Sequence, residues 1–267
     1  MDNGKIFAAK NVILATGGLS YSATGSTGEG FFIAKSMGHK IVKLLPGLVP
    51  LETKGFLAKE LQGLSLKNVT LSILVNEKVV KSEFGEMIFT HYGVSGPIIL
   101  KLSNEVVDLL EKKVEPIFLS INFKPALTKE QLKLRLVREF SVNGNKNYFN
   151  VIKNLLPKKL VPIFVKLSNI SGTKKCNQIT KTEIEKIILL ITAFRLEIKT
   201  YRPIEEAIIT RGGIDLDEIN PYTMESKLVQ GIYFCGEIID IDGFTGGYNL
   251  QLAFSTGYLA GKIVNRF

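Results

Sequence analysis

The chain holds too little cysteine and histidine for a disulfide framework or a metal centre. Cys176 and Cys235 stand far apart in unlike contexts, which points to a reducing, cytoplasmic setting. His39 and His91 belong to no Cys/His cluster, so no metal site is expected. No apolar stretch reaches the roughly 18 uncharged residues of a membrane-spanning helix, and the first ten residues carry no signal-peptide core, so no membrane contact is expected. Three glycine signatures are also missing. Without G-x-G-x-x-G or G-x-x-x-x-G-K-[ST], these residues contain no roughly 30-residue βαβ unit of the kind that anchors a dinucleotide. Without G-x-S-x-G, Ser20, Ser95 and Ser255 have no triad setting.

What is present is a 267-residue chain, 45% apolar, able to bury the core of one large or two modest domains. Residues 235–251 are the most informative: an apolar strand stops at Gly236-Glu237, and Gly246-Gly247 then opens a helix expected over Tyr248 to Val264. Gly236, Gly243, Gly246 and Gly247 let backbone approach a ligand, while Glu237, Asp240 and Asp242 offer acceptors to hydroxyls. The unpaired N–H groups of the helix start suit an electron-rich ring oxygen or a phosphate. A second stretch near the start has the same grammar. Asn11 to Thr16 reads as a buried strand running into Gly17-Gly18 and then a helix over about 27–37, the order of a strand that delivers its carboxyl end to a nucleotide or of an ordinary βα connection.

Punctuation organises the remainder. A strand is expected over 39–45, broken by Pro46-Gly47 and Pro50. Residues 51–123 read as strand-rich, with alternation in Val69–Val75, a hairpin turn at Asn76-Glu77, and strands at Glu86–Thr90 and Pro116–Phe123. A helix begins near Gly96-Pro97. Residues 124–192 read as helical, with capping boxes at Thr128–Gln131 and Thr180–Glu183, and strands return over 194–200 and 204–210. The net charge of +9 is concentrated: residues 124–202 hold 17 Lys+Arg against 5 Asp+Glu. That segment is either a nucleic-acid footprint or a solvated helical face; its lysines interleave with apolar residues at helical spacing, so the solvated face is the simpler account and a nucleic-acid partner is not expected.

Six motifs occur in order between about residues 10 and 262: Ala15-Thr-Gly-Gly-Leu-Ser-Tyr21, Thr24-Gly-Ser-Thr-Gly28, Phe89-Thr-His-Tyr-Gly-Val-Ser-Gly-Pro97, Arg211-Gly-Gly-Ile214, Thr223-Met-Glu-Ser-Lys227 and the run from Gly236 to Gln251. In these the chain resembles the YhiN/BaiN-like flavoproteins, NAD(P)/FAD-dependent oxidoreductases of the aminoacetone oxidase family. The resemblance implies an α/β (α+β overall) fold: a truncated two-dinucleotide-binding-type FAD domain, residues 1–50 and 206–267, interrupted by a β-barrel-like plus helical insertion over 51–205. Members of that family begin with a βαβ unit carrying the glycine fingerprint missing here. The chain therefore reads as a member without its front end, either truncated or completed by an N-terminal half supplied separately, with FAD held weakly or not at all by these residues alone.

The resemblance also implies roles. Glu237 would accept a hydrogen bond from a ribityl hydroxyl, with Asp240 a further acceptor and Gly236, Gly246 and Gly247 allowing close approach. The backbone N–H groups of Tyr248, Asn249 and Leu250 would face the flavin pyrimidine edge, and Ala15, Thr16, Gly17 and Gly18 would pass beneath the cofactor. Gly212-Gly213 is either a family turn near the reacting face or a plain tight turn. His91 is a candidate proton donor, with a hydrogen-bonded structural residue as the alternative. Three functional readings follow: a flavin (FAD)-dependent oxidoreductase, or the C-terminal part of one, passing hydride between a small organic substrate or NAD(P)H and flavin N5; a cofactor-free remnant or partial subunit; and a basic nucleic-acid-binding adaptor.

Overall fold

The computed structural model describes residues 6–264. In chain order the elements are β1 (Val12–Leu14), α1 (Glu29–Ser36), β2 (Ile41–Gly47), β3 (Leu51–Thr53), α2 (Leu57–Glu60), β4 (Ser65–Val75), β5 (Lys78–Phe89), β6 (Gly93–Ser95) and α3 (Pro97–Glu111). They continue as β7 (Ile117–Asn122), α4 (Lys129–Val142), α5 (Tyr148–Ile152), α6 (Val161–Ser168), α7 (Lys181–Thr192), β8 (Phe194–Tyr201), β9 (Ile209–Ile214), β10 (Ile232–Phe234) and α8 (Tyr248–Val264). Two compact units result, one of residues 1–49 and 202–267, the other of residues 50–201. Among the described residues no helix is long and apolar enough to cross a membrane.

The second unit is a closed barrel with helices. Its strands run in the order β3-β6-β5-β4-β7-β8, and β3 pairs with β8 to close it. Alternation in β7, where Ile117, Leu119 and Ile121 are buried, puts every second side chain into the interior, as a half-buried strand requires. The β4–β5 hairpin turns at Asn76-Glu77, both with positive φ, the conformation that matches the right-handed strand twist. Both expected capping boxes form: Thr128 and Gln131 bond reciprocally at the start of α4, as do Thr180 and Glu183 at the start of α7. Each such cap contributes about 1 kcal/mol.

The first unit holds two small sheets, parallel β1–β10 and antiparallel β2–β9, around a core that includes Phe31, Ala34, Ile214, Phe234 and Ile238. His39, fully enclosed at its side chain, is held by Glu218 Oε2 (3.0 Å) and Ser226 Oγ (2.9 Å) and packs edge-on against Phe234. Two expectations change here. Pro46-Gly47 does not break the strand but ends β2, with Pro46 opposite Thr210; β2 has a single partner, so a residue without an N–H fits on its open side. The strand expected over 204–210 is displaced to 209–214 and carries Gly212-Gly213 within it rather than in a turn. There the backbones crowd: a Cβ on Gly212 would sit 2.2 Å from Lys43 O, and one on Gly213 would sit 2.6 Å from Ile238 O. These glycines serve strand packing, with Asp240 N donating to Ile214 O alongside.

Candidate functional site

The two glycine turns meet at Glu237. Its Oε1 accepts from Ser20 Oγ (3.0 Å) and from Thr210 N (2.8 Å). Thr210 Oγ1 in turn accepts from Leu19 N (2.7 Å) and Ser20 N (3.0 Å), so the loop after β1 is stitched to β9 and to the turn after β10. Gly18 lies against this clasp, because a Cβ there would fall 2.3 Å from Thr210 Oγ1 and 2.5 Å from Glu237 Oε1. Thr16 sits behind it against the first turn of α1, where a Cβ on Gly30 would meet Thr16 Oγ1 at 2.0 Å. The clasp occupies only one carboxylate oxygen; among the described residues Glu237 Oε2 has no hydrogen-bond partner.

Beside the clasp opens a cleft of about 420 Å³ within the first unit. Gly236, Glu237, Gly246, Gly247, Asn249 and Leu250 line it, and Leu48, Ile208, Ile241, Phe244 and Leu252 supply apolar walls. Ala15, Thr16, Gly17, Gly18, Asp240 and Tyr248 do not line it. Gly246 and Gly247 have φ of 115° and 92°, and a Cβ on Gly247 would meet nothing within 4 Å, so backbone conformation rather than crowding calls for glycine there. The loop they form is closed by Asn249, whose Oδ1 accepts from Gly243 N (2.8 Å) and whose Nδ2 donates to Gly243 O (2.9 Å). The first bond of the α8 ladder runs from Gln251 N to Gly247 O, leaving the N–H groups of Tyr248, Asn249 and Leu250 ahead of it at the positive end of a 17-residue helix. Thr256 Oγ1 accepts from Gly236 N (3.0 Å), tying α8 to the turn.

Asp240 lies outside the cleft, near Gly212 and Asp242. Burial, and then the charges of Asp242 and Asp215, hold its carboxyl above the usual carboxylate range. Cys235 is buried, which raises its thiol pKa and suits a small apolar filler. His91 belongs to the other unit, exposed on the bend between β5 and β6, where its ring meets Tyr92 edge-on at 4.8 Å. No group of three His, Cys, Asp or Glu side chains that could hold a metal occurs among the described residues.

Ser20, expected with Tyr21 and Thr24–Gly28 along the far side of the cofactor, instead forms the clasp with Thr210 and Glu237; Thr210 and the walls Leu48 and Ile208, far apart in the chain, escaped the sequence, because no local pattern marks either pairing. Asn249 was expected to act through its N–H, and its side chain has the additional task of closing the loop.

The arrangement is fit for the ring end of a flavin. Glu237, apolar walls, and Asn249 and Leu250 from the first turn of α8 line one cleft, which offers the acceptor and donor types that a flat, hydroxyl-bearing heterocycle requires. Residues 45–209 match the HI0933-like protein barrel and H2TH domain. The 3-dehydro-bile acid delta(4,6)-reductase of Clostridium scindens is 31% identical over 264 residues, which cover 97% of this chain and 63% of that protein. Ribosomal RNA dihydrouridine synthases of Haemophilus influenzae and Escherichia coli are 33% and 31% identical, over 99% and 96% of this chain and 62% and 61% of their own lengths. The chain therefore spans less than two thirds of the relatives it matches.

Proposed function

Because the chain belongs to the HI0933-like family, a family of flavoproteins, we propose that it is the flavin-facing part of a reductase that acts on a carbon–carbon double bond conjugated to a carbonyl. The observation that carries the reading is the cleft lined by Glu237 and by Asn249 and Leu250 at the start of α8. Bound flavin would supply hydride from N5, replenished by NAD(P)H. Glu237 would accept from a ribityl hydroxyl through its second oxygen, and the clasp to Ser20 and Thr210 holds the carboxylate in place. The backbone N–H groups of Tyr248, Asn249 and Leu250 would face the pyrimidine edge of the bound ring and favour negative charge there. The apolar walls exclude water from the ring.

Two substrate classes satisfy this chemistry, and the relatives' names supply one of each: a 3-oxo steroid with ring unsaturation, and a uridine whose 5,6 bond is conjugated to the ring carbonyl. The reading also includes a companion segment, in cis or on a second polypeptide, that grips the pyrophosphate. Two features support it: β1 pairs with β10 alone among the described strands, leaving Val12 and Ile13 exposed, and Leu250, Phe254 and Tyr258 form an exposed apolar row on α8.

Riboflavin titration tests the reading most directly. The expected result is saturable quenching of riboflavin fluorescence that weakens when Glu237 is replaced. Absence of any binding by folded protein would remove the proposal.

A further inference from the structure

His39 is a titratable group that the flavin cleft does not use, and its side chain is fully enclosed. The hydrogen bonds around the ring fix where its proton sits. Glu218 Oε2 lies 3.0 Å from Nδ1 and also accepts from Lys40 N (2.9 Å). An ionised carboxylate only accepts, so Nδ1 carries a hydrogen. On the other side Ser226 Oγ lies 2.9 Å from Nε2 and accepts from Leu228 N (3.0 Å) and Val229 N (2.8 Å). A hydroxyl oxygen has two acceptor positions, and here both are taken. The Ser226 proton therefore points at Nε2, and the ring that fits is neutral.

A proton added at Nε2 meets no acceptor in this arrangement. The bond to Glu218 survives as an ion pair, but Ser226 must turn its own proton away and release Leu228 N or Val229 N to free a lone pair. Histidine is the side chain whose charge ordinarily changes between about pH 5 and 8. Charged neighbours offer no alternative partner. Lys40 pairs with Asp215 (2.7 Å), Lys227 donates to Asp217 O (2.8 Å), and Glu225 accepts from Gly231 N (2.9 Å). Lys35 on α1 and Tyr233 on β10 make no hydrogen bond to the ring among the described residues.

The turn that would loosen is tied to β10. Ser226 N donates to Ile232 O (2.8 Å), Phe234 N donates to Met224 O (3.0 Å), and Phe234 packs edge-on against the His39 ring at 4.8 Å. After Phe234 and Cys235 come Gly236 and Glu237, which line the cleft. We propose that His39, Glu218 and Ser226 form a proton-operated latch behind the flavin site. Closed while His39 is neutral, it holds the 226–229 turn and, through β10, the Gly236-Glu237 edge of the cleft; protonation of the ring opens it and weakens ligand binding. The coupling to flavin rests on the reductase reading; the latch itself does not.

The test compares the parent chain with His39→Gln, whose amide can accept from Ser226 Oγ and donate to Glu218 but does not titrate. Hydrogen exchange of the Leu228 and Val229 amides, corrected for the intrinsic pH dependence of exchange, and riboflavin titration are run at about pH 8 and about pH 5.5. In the parent, protection of one of the two amides is expected to fall about fivefold at the lower pH, the worth of one hydrogen bond, and riboflavin affinity to fall roughly threefold. In His39→Gln both are expected to stay constant. Nitrogen NMR of the imidazole at about pH 8 should show a hydrogen on Nδ1 and none on Nε2. Thermal melts report whether His39→Gln is folded; if it is not, Ser226→Ala replaces it, and without the hydroxyl the affinity is expected to lose its pH dependence. A hydrogen on Nε2 at the higher pH, equal protection at the two pH values, or the same pH dependence in parent and variant would overturn the latch. Riboflavin binding that is equal at both pH values would overturn its coupling to the cleft. No binding at either pH would remove the reductase reading, while amide exchange would still decide the latch.

Discussion

Replacing Glu237 separates two tasks that its two oxygens divide. Oε1 receives hydrogen bonds from Ser20 Oγ and Thr210 N, and Thr210 is 1% exposed. Bonds to a charged acceptor contribute about 1.5–3 kcal/mol each in mutational series, and a buried N–H left unpaired costs about 1–3 kcal/mol. Because Glu237 is partly exposed, the lower end applies, and Glu237→Ala is expected to destabilise the protein by about 3 kcal/mol. Glu237→Gln keeps a carbonyl acceptor for the clasp and should cost only about 1 kcal/mol, but it puts an NH2 donor where Oε2 would accept. Riboflavin affinity is then expected to fall roughly tenfold, equivalent to about 1.4 kcal/mol. Ser20→Ala tests the other half: it loosens the clasp by about 1 kcal/mol and leaves riboflavin affinity nearly unchanged. Urea titration by circular dichroism gives the stabilities, and quenching of riboflavin fluorescence gives the affinities. Equal affinity in Glu237→Gln and the parent, or equal loss of ligand in Ser20→Ala and Glu237→Gln, would show that Glu237 only ties loops together.

Other outcomes follow from the same geometry. Both Gly30 and Gly261 lie in helices, where alanine is ordinarily better by about 1 kcal/mol. Gly261→Ala, whose new Cβ meets no described atom within 4 Å outside its own stretch of helix, should raise the urea midpoint, whereas Gly30→Ala should lower it, because its Cβ would fall 2.0 Å from Thr16 Oγ1 and 2.7 Å from Ile238 Cδ1. Adding Thr16→Ala to Gly30→Ala should recover part of the loss, and strict additivity of the pair would refute the contact. Asp240 has a folded pKa above its ordinary 3.8, so the folded state holds the proton more tightly and ionisation subtracts stability as pH rises from 3.8 through the raised value. Asp240→Asn should therefore be more stable than the parent at neutral pH, with the difference vanishing below pH 3.8; a stability gap independent of pH would contradict this. Finally, riboflavin and FAD should bind this chain with similar affinity, since its residues include no glycine fingerprint to hold a pyrophosphate. A hundredfold preference for FAD in parallel titrations would show that the pyrophosphate is gripped after all.

Much of this molecule could be read along the chain wherever the determinants lie within a few residues of one another. Thr128 with Gln131, Thr180 with Glu183, the Asn76-Glu77 turn, and Gly246-Gly247 before α8 each specify a local backbone geometry through neighbours that cannot separate, and each stands where the pattern put it. The glycine turns likewise marked Gly236, Glu237, Gly246, Gly247, Asn249 and Leu250 as a cluster of interest, and these line one cleft, whereas Tyr248 of the same run does not. Tertiary structure decided the rest. Closure of the barrel joins Leu51 to Tyr201, strand Pro46 is tolerated because β2 has one partner, and Gly212-Gly213 is required by backbones arriving from Lys43 and Ile238. The Glu237 clasp reaches Ser20 across 217 residues. Local propensity carries no record of which distant segment will supply a hydrogen-bond partner or a wall, because that depends on burying apolar faces from the whole chain at once, and only the packed core settles the choice.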